Sequence, residues 1–393
     1  MNNCAIICEY NPFHTGHKYQ LDTVRNYGAN NILCVMSGQF VQSGQPAFCD
    51  KAIRAECALL GGANAVIELP TVYATANAQY FAEGAVKIIS KIKNITHLAM
   101  GVVADYDIIR RIADIKIENP DKVKAALISA MDGGKSYNAA MAVAIIKIYA
   151  EKYGDGEQAK LALSDPNNIL SMEYIAALQK YAPHIEPLFI RRVGGTYNDS
   201  SLYGKFVSAT AVRYAEETGA FESTRRYIPY KFDDIELYRR RFAPDIDAYK
   251  KIALFAAKRL SPEDFAHLRN CSEGLEYAVA NSQINDFDSV IDSIIGKRYG
   301  KKRIYRLMLD ALLDIDKSML DKRFATRLLG CVKDFDFSIL PKQVYTNNAD
   351  LKRAASVDEE VASVLKTDED CALLYNILCG KDGGYYNYSL VKV

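Results

Sequence analysis

Four short apolar runs, CAIICEY from Cys4, NILCVMSG from Asn31, ANAVIELP from Ala63 and THLAMGV from Thr96, recur through the first quarter of the chain. Amphipathic stretches starting at Lys18, Lys51 and near Gln79 separate them. Runs this short read as strands buried on both faces, and strands joined by helices must run parallel, because the crossover returns the chain to the same end of the sheet. The pattern therefore predicts an α/β fold with a Rossmann-like, doubly wound parallel sheet. A helical stretch follows from Tyr106 to Tyr153, then a helix in DPNNILSMEYIAALQKY with Asp165 or Asn167 placed to cap it. Another strand is expected in IEPLFIRRV, then a glycine-rich turn in VGGTYND and a helix in VSATAVRYAEETG that Ser208 would cap. Beyond this point strand patterns fade. We expect a sheet domain over residues 1–225 and a mostly α-helical domain over 226–393.

Composition excludes several classes. With a formal net charge of +1 and 25% charged residues, any nucleic-acid surface must be a local patch. The nine cysteines form no CxxC pair and lie mostly in apolar runs, so they read as reduced core residues, with neither disulfides nor a protein-bound metal expected. No apolar run approaches the roughly 18 residues of a membrane span, and no charged leader precedes the first run. We expect a cytoplasmic protein with no membrane partner.

The first apolar run ends in Asn11-Pro12-Phe13 and then His14-Thr15-Gly16-His17, where a helix begins. In a parallel sheet, ligands sit beyond the carboxyl ends of the strands. Pro12 would hold the turn, Gly16 would let a flat base or ribose approach, and the helix amides would face phosphate. His14 and His17, three apart, face the same way on the first turn. Two imidazole donors can stabilise charge building on a polyphosphate under attack. A bare HxGH is also common as ordinary capping histidines, so context has to decide.

That context comes from SATAVR, Ser208 to Arg213, a Ser/Thr-rich stretch ending in arginine at the start of a late helix. The pair resembles the nucleotidyltransferase superfamily of class I aminoacyl-tRNA synthetases and small cytidylyl- and adenylyltransferases. More closely, EYNPFHTGH, MSGQFVQSGQPA with DKAIRAECAL, VIELP, DPNNILSMEYIAAL and SATAVR together resemble the bacterial tRNA(Met) cytidine acetate ligase family. The likeness continues more weakly through KRYGKKRIYRLML and RLLGC.

The resemblance implies an ATP-dependent ligase that activates acetate as acetyl-adenylate. It would then acetylate the wobble cytidine of elongator methionine tRNA to N4-acetylcytidine, releasing AMP and pyrophosphate, with Mg2+ accompanying ATP. His14 and His17 carry the catalytic role. It also implies an ATP site of Ile7, Cys8, Glu9, Tyr10, Asn11, Pro12, Phe13, His14, Thr15, Gly16, His17, Lys18, Tyr19 and Gln20, with Gly101, Asn167 and Arg192. Ser208 and Arg213 are candidate phosphate contacts. Where the family usually carries an arginine in the QSGQP loop, this chain has Ser43, so that charge must come from elsewhere; Lys51 and Arg54 on the following helix are candidates, although their position reads first as a solvated helix face. The competing readings are a small-molecule nucleotidyltransferase moving AMP or CMP onto a phosphorylated metabolite, and an RNA-binding protein with a degenerate nucleotide site. The group that deprotonates the cytidine amine is not identified by the residues.

In the second half, Lys297, Arg298, Lys301, Lys302, Arg303 and Arg306 place six cations within ten residues, with Tyr299 and Tyr305 among them. Such a run is often a solvated face, but beside a nucleotide site it is a candidate tRNA contact. The aromatic tail GGYYNYSLVKV is expected either to dock on the domain core or to stack on bases.

Overall fold

The computed structural model describes residues 3–193, 202, 204–271, 274–283, 286–296 and 298–393. Residues 194–199 of the glycine-rich turn, and Lys297 of the basic run, lie outside the described residues. Among the described residues one sheet contains β1 (Asn3–Cys8), β2 (Asn31–Ser37), β3 (Ala65–Leu69), β4 (Ile95–Val102), β5 (Glu186–Arg191), β6 (Thr326–Cys331), β7 (Val344–Tyr345) and β8 (Val391–Lys392). The order is β5-β4-β1-β2-β3-β6-β7, with β8 also on β6. The first five strands are mutually parallel, as the helical crossovers require.

Alternation along the strands divides the core in two. Cys4, Ile6, Cys34, Met36 and Val66 belong to one buried cluster, while Ala5, Ile7, Leu33, Val35 and Ile67 belong to another. The sheet is therefore covered on both faces, which is the doubly wound arrangement. Helix Thr15–Asn26 and helix Lys51–Leu60 pack on the first face through Leu21, Val24, Ala55 and Ala58. Helices Ala78–Ile89, Tyr106–Glu118 and Pro166–Tyr181 pack on the second. Local signals start these helices: Asp50, Asp165 and Ser208 each accept a backbone N–H of the first turn. Asp165, not Asn167, is thus the cap, and Pro166 occupies the first helical position.

The second half is helical, with Phe232–Phe242, Ile246–Lys258, Lys301–Leu313 and Glu359–Leu378 as major elements. It is not purely so. RLLGC lies in β6, whose six residues are all buried and which pairs antiparallel with β3, aligning Ala65 with Cys331. Without it β3 would present an open edge. Leu254, Leu307 and Tyr375 of the second half share the first-face cluster with Met36 and Ala58, so the hydrophobic core runs on past residue 225.

The aromatic tail docks. β8 pairs with β6 through Val391 and Lys392, and Tyr385 is buried. Beneath it lies an ionic cluster in which Lys51 Nζ reaches Glu68 Oε1 at 2.5 Å, while Tyr385 donates to Glu68 Oε2 at 3.5 Å. Lys51 and Arg327 lie 4.7 and 4.1 Å from the Tyr385 ring centroid. Arg54, 1% exposed, donates to the carbonyls of Glu9 at 2.7 Å, Cys49 at 3.0 Å, Ser37 at 3.1 Å and Gly38. Neither cation stands ready to replace an arginine at position 43, contrary to the expectation from helical position; both hold strand ends together.

Candidate functional site

β1 and β4 are neighbours whose connections leave in opposite directions, to β2 on one side and β5 on the other. Strand order reverses there, opening a crevice at the carboxyl ends. A cavity of about 490 Å3 occupies it, lined by Cys8 at the end of β1, Gly101 near the end of β4, and Arg192 just after β5.

His14 and His17 lie at its floor. His14 is the N-cap of helix Thr15–Asn26: its Nδ1 accepts from the Gly16 N–H at 3.0 Å, and His17 Nδ1 accepts from the His14 N–H at 3.3 Å. The rings stack with centroids 3.7 Å apart. Burial, with Arg192 and Arg213 nearby, lowers the His14 pKa to about 3, and burial with His14 and Arg192 lowers that of His17 well below the usual range. Both imidazoles are therefore neutral at physiological pH. With each Nδ1 accepting, each proton must sit on Nε2, so the motif presents two N–H donors in one fixed tautomer.

The glycine between them is also required by the histidine cap. A Cβ on Gly16 would lie 2.8 Å from His14 Cε1 and 3.0 Å from Nδ1. The space is taken by the histidine's own ring, so Gly16 lets the cap fold back, and Gly16 also lines the cavity. Gly101 acts similarly for Arg192, whose Cγ would be 3.3 Å from an added Cβ. Arg192 donates to Asn167 Oδ1 at 3.2 Å, and Asn167 Nδ2 donates to Asp165 at 2.9 Å. Gly101, Asn167 and Arg192, far apart in sequence, thus form one wall.

Arg213 closes the other side. It donates to the Asn11 carbonyl at 2.6 Å and to Thr210 Oγ1 at 3.1 Å, so SATAVR grips the loop that precedes the histidines. Ser208 lines the cavity while its side chain caps its helix, accepting from the Ala211 N–H at 2.9 Å. Ile7, Glu9, Tyr10, Tyr19 and Gln20 also line it. Pro12, Phe13, Thr15 and Lys18 are not among the lining residues. Phe13 is buried in the first-face core and Lys18 pairs with Asp22 along its helix. The run from Ile7 to Gln20 is therefore not one continuous lining.

The HIGH Nucleotidyl Transferase family model matches residues 1–381. The tRNA(Met) cytidine acetate ligase of Caldanaerobacter subterraneus is 35% identical over 333 residues, spanning 81% of this chain and 80% of that protein. Its counterpart from Acetivibrio thermocellus is 33% identical over 334 residues, spanning 82% and 79%. The chain belongs to the tRNA(Met) cytidine acetate ligase family. The crystal structure of Thermotoga maritima TmcAL in an apo form covers 100% of both chains at TM-score 0.91 and 26% identity. The form of that protein bound with alpha-thio ATP gives 0.88, again at 26% identity and full coverage.

The cavity lining also includes residues outside the nucleotidyltransferase motifs. Residues 41–43 and 45–48, Glu216, Arg239, Ile246 and Lys302 contribute to it. Arg239 holds Glu216 through Nε at 3.1 Å and Nη2 at 2.9 Å. No motif marks Arg239 in the sequence; only folding brings helix Phe232–Phe242 over the sheet. The basic run divides. Arg298, Lys301 and Lys302 are exposed, Lys302 also lines the cavity, and Arg303 is partly buried. Arg306 is 7% exposed and donates to Asn270 Oδ1 at 3.1 Å. It is a correction to the set of six: helix Lys301–Leu313 turns that position into the core, where it packs against Gly44.

Proposed function

We propose that this chain is an ATP-dependent ligase that makes acetyl-adenylate from acetate and acetylates the wobble cytidine of elongator methionine tRNA. One observation carries the reading: two neutral histidines, locked in the Nε2–H tautomer, stand beside Arg192 in a switch-point crevice of a chain whose relatives bear that name. The binding of alpha-thio ATP by the Thermotoga protein supports placing ATP here.

The chemistry follows from the donors. Both Nε2–H groups offer hydrogen bonds to phosphate oxygens, and Arg192 and Arg213 set a positive potential. As a carboxylate attacks the α-phosphorus, charge grows on the departing pyrophosphate, and donors already aimed there need not reorganise. Mg2+ enters with the nucleotide. Among the described residues no cluster of three or more His, Cys, Asp or Glu could hold it, and when bound with ATP it would neutralise phosphate charge. Residues 1–225 bind the nucleotide, and 226–393 present the tRNA through Arg298, Lys301 and Lys302. An enzyme acting on tRNA works in the cytoplasm, and no helix among the described residues is long and apolar enough to cross a membrane.

An exchange assay tests the reading. Labelled pyrophosphate should enter ATP when acetate is present at millimolar concentration, because a two-carbon acid offers little surface to bind. Adding the methionine tRNA should then release AMP and yield acetylated cytidine. Exchange supported by a phosphorylated sugar or alcohol, and never by acetate, would establish a metabolite nucleotidyltransferase instead.

A further inference from the structure

Acylating a cytidine amine needs a proton acceptor, because the nitrogen lone pair is delocalised into the ring and the amine is a poor nucleophile until a proton leaves. The histidines are unsuited. Each Nδ1 already accepts a backbone N–H and each Nε2 carries the proton, so neither ring has a lone pair to offer. Burial raises the pKa of the Cys8 thiol and of the Tyr10 and Tyr174 hydroxyls, which keeps them protonated. Among the described residues, three carboxylates line the cavity: Glu9, Glu216 and Glu217. Glu216 gives both oxygens to Arg239. Glu217 is exposed, in the last turn of its helix.

We infer that Glu9 is the proton acceptor in the acyl-transfer step. It follows directly on β1, at the strand end over which the switch-point crevice opens. Its Oε1 accepts from the Gln42 N–H at 2.7 Å, leaving Oε2 to take a proton. Its backbone is fixed by buried Arg54, which donates to the Glu9 carbonyl at 2.7 Å. The loop carrying Gln42 is held from the second half of the chain. Tyr249 donates to the Gly44 carbonyl at 2.6 Å, and a Cβ on Gly44 would lie 2.9 Å from Arg306 Cα. Glu9 is thus bonded to a loop that lines the same cavity as the histidines and that the helical half of the chain holds in place. In the step, a bond forms between the cytidine nitrogen and the acetyl carbon. The acyl carbon–oxygen bond to the phosphate breaks, its electron pair leaving with AMP, and one amine proton passes to Glu9 and then to water.

This assignment rests on the ligase reading, and the two can fail separately. Glu9→Gln keeps an oxygen for the Gln42 N–H but cannot take the proton. Acetate-dependent pyrophosphate exchange, single-turnover acetylation of tRNA, and hydroxamate formation with added hydroxylamine should be measured on the full chain. Transfer to tRNA should fall about 10²-fold more than exchange, within the range expected for a general base. Hydroxylamine, a strong nucleophile that needs no protein base, should still trap the adenylate. Glu9→Asp should restore part of the transfer rate. Exchange and transfer falling together, or transfer at the wild-type rate in Glu9→Gln, would overturn the assignment while leaving the ligase reading intact. A wild-type chain without acetate-dependent exchange would sink the ligase reading itself and the assignment with it.

Discussion

His14 and His17 stack with ring centroids 3.7 Å apart, each spending its Nδ1 on a backbone N–H so that Nε2 points its proton away from the helix cap. The cap and the proposed catalytic device are one structure. His17→Ala removes a donor that acts mainly as charge builds in the transition state. Adenylation, followed as pyrophosphate exchange, should fall about 10²-fold or more, with a loss of stability near that of a single cap bond, about 1 kcal/mol. A variant exchanging as fast as the wild type would remove His17 from catalysis.

Gly16→Ala tests the packing of that device. The new methyl would lie 2.8 Å from His14 Cε1, so the imidazole must move, although alanine is otherwise a better helix residue. Exchange should drop about tenfold or more, since small misplacements of a catalytic group are costly. An unchanged rate would show that the ring has room to spare.

The histidines also set a pH dependence of stability. Their folded pKa values are depressed, that of His14 to about 3, by burial first and then by Arg192. The unfolded chain takes up these protons near pH 6.5 and the folded one does not, so the associated stability is present above about 6.5 and is lost as pH falls toward 3. Melting temperatures between pH 7.5 and 5 should decline less steeply in His14→Asn, which retains a capping oxygen but cannot titrate. Parallel slopes in the two proteins would contradict the depressed values.

The exposed and buried members of the basic run should behave differently. Replacing Arg298, Lys301 and Lys302 with glutamine should weaken tRNA binding and reduce the slope of log Kd against log salt by about two to three. Arg306→Gln should instead lower the melting temperature, because it breaks the bond to Asn270 in the core; a loss of about 1–3 kcal/mol is expected. A salt slope that responds to Arg306 alone would reverse these roles.

Asp368 makes a further pH effect of opposite sign. Burial, with Glu68 nearby, raises its pKa to about 7, so the stability it contributes is greatest below the unfolded value near 3.9 and is lost as pH rises through 7. Asp368→Asn keeps an oxygen for the Thr71 N–H, which Asp368 Oδ1 now accepts at 2.7 Å. The melting temperature of the variant relative to wild type should be more favourable at pH 8 than at pH 5. A difference independent of pH would rule out the buried titration.

What the sequence determined by itself is local. The alternation of short apolar runs with helices left a parallel sheet as the solution, because crossover helices leave no other way to satisfy the strands. Asp165 and Ser208 announced helix starts, and HxGH with SATAVR marked two segments that line the same cavity. What the tertiary structure decided depends on which face of a helix turns inward, and on contacts between segments hundreds of residues apart. Lys51 and Arg54 looked like solvated cations but became struts, because their helix presents them to strand ends rich in carbonyls and to Glu68. Arg306 belongs to the same basic run as Lys302 and, four residues on, to the same helix face, yet Lys302 is exposed beside the cavity while Arg306 is covered by Asn270 and the loop at Gly44, a packing that composition does not register. β6 joined the first-half sheet because β3 needed an edge partner, and Glu9 gained its fixed setting from a loop held by Tyr249 and Arg306. Those outcomes follow from burial across the whole chain, which no short motif records.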